Sequence, residues 1–92
     1  STSSDVWMAW QFHDPENQSG LIQAFRRNDC LADTLNCSLR GLDPQFVYTF
    51  TNLDTKETAQ FSATDLLKNG FPITLEQKPG AAIITYEIQV RE

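Results

Sequence analysis

The sequence predicts an all-β fold: an antiparallel β-sandwich of about seven strands, Greek-key-like in its wiring, with one short helical turn. Three observations carry that expectation. Apolar and polar residues alternate over short runs, Pro, Gly and Asp separate the runs, and only one segment has helix-start and helix-stop chemistry. The best run is Phe46-Val47-Tyr48-Thr49-Phe50-Thr51-Asn52-Leu53. It follows a sharp break at Asp43-Pro44, is almost wholly β-branched or aromatic, and sets Phe46, Tyr48 and Phe50 on one face.

In chain order, residues 6 to 13 alternate as a first strand, with Met8, Trp10 and Phe12 on one face and Trp7, Ala9, Gln11 and His13 on the other. Residues 14 to 20 contain Pro15, Asn17 and Gly20 and no apolar side chain, so they read as a loop joining two strands. The run from Gly20 to Arg27 fits a helical stripe as well as a strand. Its length decides for a strand, because a helix that short is marginal in water. Thr34 to Leu39 is a short strand with Leu35, Cys37 and Leu39 together.

After the strand at 46 to 53, Asp54-Thr55-Lys56 turns the chain and Glu57 to Ser62 returns as a hairpin partner. Ser62 then offers a helix cap, Asp65 stands at the position that answers it, and Gly70 offers a left-handed stop before Pro72. Phe71 to Leu75 is a short strand. Ala81 to Val90 is a long one with Ala82, Ile84, Tyr86, Ile88 and Val90 aligned. Residues 6 to 90 thus form a single domain, and residues 1 to 5 read as a linker.

A chain of 92 residues buries a thin core, about 60 to 65% of its unfolded surface. Seven basic against twelve acidic residues leave a net charge of −5, which repels nucleic acid and anionic lipid, so neither is an expected partner. No apolar run approaches the ~20 residues of a membrane-spanning helix, and no basic-then-apolar leader opens the chain. The expected protein is soluble, in the cytoplasm or exported. Cys30 and Cys37 match no zinc spacing. They either close a small disulfide in an oxidising compartment or stay as two thiols in a reducing one.

Catalysis needs convergent groups, and the chain offers none by spacing. His13 is the single imidazole and reads as an exposed or edge-packed residue. A Cys–His relay has no motif to join it. The carboxylates sit in separate turns, not as the pair about 5 Å apart that a retaining glycosidase needs. No cofactor or metal is implied. Arg26-Arg27 reads as a solvated strand edge. Asn17-Gln18-Ser19 and Asn36-Cys37-Ser38 match the glycosylation acceptor pattern, which is common by chance. Aromatic rings on an open sheet face can stack on a sugar. Trp10, Phe12, Tyr48 and Tyr86 are assigned to the core, while Trp7 is placed at the surface. Trp7 and His13 are therefore the candidate sugar contacts.

Leu39-Arg40-Gly41-Leu42-Asp43-Pro44, with Tyr48 and then Asn52-Leu53-Asp54-Thr55, resembles the C-terminal β-domain of melibiase-type α-galactosidases. Further pieces follow the same order: Trp10-Gln11-Phe12, Ala24-Phe25-Arg26-Arg27, Gly70-Phe71-Pro72-Ile73, and Ala81-Ala82 before Tyr86. The resemblance spans most of residues 7 to 88. It implies the same sandwich architecture and a non-catalytic accessory role beside a catalytic barrel of the parent protein. The family's catalytic aspartates lie in that barrel and map onto no position here. The alternative it leaves open is a carbohydrate-binding module that docks the parent on a galactoside-containing polysaccharide. In the family pattern, glycine commonly stands where this chain has Lys56.

Overall fold

A computed structural model describes residues 7–28 and 30–89. The proposed linker, Val6, Asp29 and Val90 lie outside the described residues. The chain forms strands β1 (Trp7–Asp14), β2 (Ser19–Arg26), β3 (Thr34–Cys37), β4 (Val47–Asn52) and β5 (Thr58–Ser62). Helix α1 (Ala63–Asn69) and strands β6 (Phe71–Thr74) and β7 (Gly80–Ile88) complete it. The strands make two antiparallel sheets, the all-β sandwich-like fold that the alternation predicts.

The larger sheet has the order β1-β2-β7-β4-β5, and β3 pairs with β6 in a two-stranded sheet. The last strand therefore inserts between the second and the fourth. This non-local wiring is invisible to periodicity, which reports faces but not neighbours.

Local chemistry explains the element ends. Asn52 Oδ1 accepts from the amides of Asp54 and Thr55, so the β4–β5 turn is capped by a residue two positions before the predicted turn at Asp54. Lys56 closes that turn at φ 68°, and its amide donates to the Asn52 carbonyl at 2.7 Å. The side-chain clash that disfavours this conformation costs about 1 kcal/mol for a non-glycine residue. The glycine of the family pattern would avoid it. Helix α1 starts where Ser62 Oγ accepts from the Asp65 amide at 3.2 Å. It stops at Gly70, whose φ of 80° turns the chain out while its amide still reaches the Leu66 carbonyl.

The core fills the space between the sheets. Tyr48, Phe50, Ile22, Ile84 and Tyr86 point into it from the larger sheet, and Phe71 and Ile73 from the smaller. Phe50 stacks on Phe71 with ring centroids 4.3 Å apart and planes 16° from parallel. Phe61 meets both edge-on. Burying a ring of this size contributes roughly 2–3 kcal/mol, so these residues dominate a thin core.

Two sequence expectations are corrected here. The first is the facing of β1. Met8, Trp10 and Phe12 are exposed on the outside of the larger sheet, whereas Trp7 is half-buried and packs against the core with Ala9. The Trp7 indole N–H donates to the Ala32 carbonyl at 3.0 Å. Both faces of β1 are apolar, so alternation fixes the period and not the sign.

The second concerns Arg26, which is only 5% exposed and not a solvated edge. Its Nε and Nη2 donate to the Cys30 carbonyl, Nη2 also to Leu31, and Nη1 to the carbonyls of Leu75 at 2.6 Å and Glu76 at 3.1 Å. The guanidinium thus ties the chain after β2 to the chain after β6 through backbone oxygens alone. Arg27 next to it is exposed, as expected of an edge.

Candidate functional site

The groups best suited to chemistry gather at one end of the sandwich, around the end of β1. Register builds this cluster. His13 pairs with Gly20, and Gly20 pairs in turn with Tyr86 on β7. A Cβ at Gly20 would collide with the Phe12 carbonyl and the Tyr86 phenol, so the missing side chain is what lets the Tyr86 ring lie beneath His13. Gly41 closes the cluster from above at φ 82°, and a Cβ there would stand 2.7 Å from the imidazole Cδ2.

Hydrogen bonding then fixes the side chains. The Gln11 amide nitrogen donates to the Arg40 carbonyl at 2.9 Å and to the Tyr86 oxygen at 2.8 Å, while Gln11 Oε1 accepts from the Arg40 amide at 2.8 Å. Both hydrogens of that side-chain amide are used. The Tyr86 hydroxyl accepts from Gln11 and has its own hydrogen for His13 Nδ1, 2.7 Å away. The other imidazole nitrogen, Nε2, is buried without a partner.

A second phenol repeats the theme. Tyr48 donates to Gln18 Oε1 at 2.6 Å and accepts from the Asp43 amide at 2.9 Å. It thereby pins the Asp43-Pro44 break to the strand that follows it. Burial pushes both phenols above the ordinary tyrosine range; the bond from Gln11 opposes the effect at Tyr86, and the bond from Asp43 opposes it at Tyr48.

This arrangement ties the Arg40-Gly41 loop to the larger sheet. The cleft beside it, about 440 Å³, is lined by Ala9, Gln11, His13, Ser38, Arg40 and Gly41. Its imidazole has one nitrogen engaged by a phenol and the other sealed. Asp14 spends its carboxylate on the turn, accepting from the Asn17 side chain at 2.8 Å and from the amides of Glu16 and Asn17, which holds its carboxyl below the usual range.

Neither thiol is hydrogen-bonded to His13. Cys30 Sγ lies against the Ala32 carbonyl and Cys37 Sγ against that of Ser38; both are buried and free. Burial raises the Cys37 thiol. Another cleft, about 550 Å³ at the β4–β5 end of the sandwich, has Glu57 as its single titratable lining group. Among the described residues no group of three or more His, Cys, Asp or Glu side chains converges as a metal site, and no helix is long and apolar enough to cross a membrane.

The two candidate sugar contacts are not brought together. Trp7 and His13 share the inward side of β1 but sit at its opposite ends, one bonded to Ala32 and the other to Tyr86. The rings that do face outward are Trp10, Phe12 and Phe25. Trp10 and Phe25 meet edge-to-face, 82° apart, so they do not form one flat platform. Apolar residues occupy both faces of β1, so its alternation does not say which face turns inward.

No family model, no curated protein and no solved structure matches the chain.

Proposed function

We propose that this chain is a non-catalytic accessory β-sandwich of an α-galactosidase-like glycoside hydrolase, one that supports or covers a catalytic barrel of the same parent protein. The observation that carries this reading is the work done by the residues that bear the resemblance. Leu39 and Leu42 are buried, Gly41 takes a positive φ against His13, Asp43 is held by Tyr48, and Asn52 caps the next turn. Lys56 occupies a left-handed position where the family pattern has glycine. Each of these residues serves a turn or the packing, and none is left free for bond-breaking.

Removing residues 6 to 90 from a parent enzyme should lower the unfolding temperature of its barrel. The chain on its own should release no product from an aryl α-galactoside. Turnover that co-purifies with the folded chain, or a barrel equally stable without it, would overturn the reading.

A second reading, a carbohydrate-binding module, draws on the exposed Trp10 and Phe12. It requires a saturable heat on titration with galactomannan that Trp10→Ala abolishes.

A further inference from the structure

The outer face of the larger sheet carries a pattern unrelated to the His13 cluster. Register lines its outward residues up in rows across the strands. Met8 lies beside Phe25, Trp10 beside Gln23 and then Ile83, and Phe12 beside Leu21 and then Thr85. Leu53 extends the Trp10 row, because its amide bonds the Ile83 carbonyl. Met8, Trp10, Phe12, Phe25, Leu53 and Ile83 are each between 38% and 57% exposed. With side chains of roughly 150–250 Å² when free, they leave about 500 Å² of apolar surface, near the upper end for the largest patch on a monomer. A standard interface uses about 800 Å² per partner, somewhat over half of it apolar.

The ends of this face are polar and opposite in sign. Beyond the Met8 row stands Arg27, whose Nη1 reaches Met8 Sδ at 3.5 Å. Beyond the Phe12 row, Asp14, Ser19 and Glu87 lie side by side, placing a carboxylate on either side of a serine. The Trp10 row is midway between them.

From this we infer that the outer face binds a second copy of the chain, in a two-fold dimer whose axis crosses the strands at the Trp10 row. That operation lays the Met8 row of one copy on the Phe12 row of the other and Trp10 on its own mate. It also brings each Arg27 down between the partner copy's two carboxylates. The alternative axis, along the strands, would stack arginine on arginine. Self-complementarity of apolar rows and charged ends is what an isologous interface demands. The inference goes beyond the accessory role and does not depend on the parent's identity.

Sedimentation equilibrium on the 92-residue chain, from about 1 μM to about 1 mM, tests it. The expected result is a monomer–dimer equilibrium that weakens with salt. Trp10→Ala should loosen the dimer about 30-fold or more, as for a central interface aromatic. Arg27→Glu and Glu87→Arg should each loosen it about tenfold, and the two together should restore it. All three positions are solvent-exposed in the monomer, so each variant should keep the parent's circular-dichroism spectrum, and that spectrum is checked first. A chain that stays monomeric throughout, a dimer indifferent to Trp10→Ala, or charge reversals that add where they should cancel would overturn the proposal. So would a barrel or a polysaccharide that protects Trp10 while the chain remains monomeric.

Discussion

His13 and Tyr86 lie with their ring planes 16° apart, joined by a 2.7 Å hydrogen bond between the phenol oxygen and Nδ1. Together with Gln11 they attach the loop at Arg40-Gly41 to the end of the larger sheet, and the following predictions start from that attachment.

Tyr86→Phe removes one hydroxyl and leaves both Gln11 and His13 short of a partner. The expected loss is about 1–3 kcal/mol, read as a lower urea midpoint with an unchanged slope. A loss much below about 0.5 kcal/mol would mean that the network does not hold the loop.

The two phenols also set an alkaline limit. Burial is the leading cause that raises both above the ordinary value of 10.0. A raised folded-state value means that the stabilisation is fully present below the unfolded pKa and is lost as pH rises through the folded one. The unfolding temperature should therefore hold up to about pH 9 and fall above pH ~10. Because Tyr48 and Tyr86 are the only tyrosines, near-ultraviolet tyrosinate absorbance should track the same fall.

Gly20→Ala should be among the most damaging single-atom additions to the chain. The new methyl meets a backbone carbonyl from β1 and the Tyr86 ring, and neither is the free end of a flexible side chain. A cost of about 2–3 kcal/mol or more is expected in denaturant melts.

Lys56→Gly should act in the opposite direction. Relief of the strain at φ 68° outweighs the extra freedom of the unfolded glycine chain by about 0.5 kcal/mol, seen as a small rise in melting temperature. A fall would show that the Lys56 side chain contributes something the backbone geometry does not reveal.

Arg26→Lys should fail to rescue what Arg26→Ala destroys. A lysine ammonium cannot reach the carbonyls of Cys30, Leu75 and Glu76 in one planar fork. Both variants should lose about 2–4 kcal/mol in chemical denaturation, and a lysine variant of native stability would argue against the clamp.

Much of the fold could be read from the chain. The β4 strand, the hairpin after it, the Ser62 cap and Gly70 stop of α1, and the inward set Ala82, Ile84 and Tyr86 are local signals: they depend on residues a few positions apart. What escaped reading depends on residues far apart. Trp7 faces the core and Trp10 the solvent because of which side β3 and β6 cover, and nothing within residues 7 to 14 encodes that. Arg26 looks like any strand-end charge until the loops after β2 and β6 close over it. The His13 cluster needs Gly20 and Tyr86 aligned across three strands, and the glycine was legible only as the end of a loop.

Strand β7 joins β2 to β4, and this bears on how the polypeptide is made. The β1–β2 hairpin and the β4–β5 hairpin emerge from the ribosome early, but they share no neighbour until residues 80 to 88 arrive. A nascent chain therefore carries two half-sheets with open flanks, each able to pair with another molecule, until β7 is synthesised. Completion waits on the most sequence-distant pairing in the molecule, so maturation should be slow for so small a chain, on the millisecond-to-second scale of other β-sandwiches.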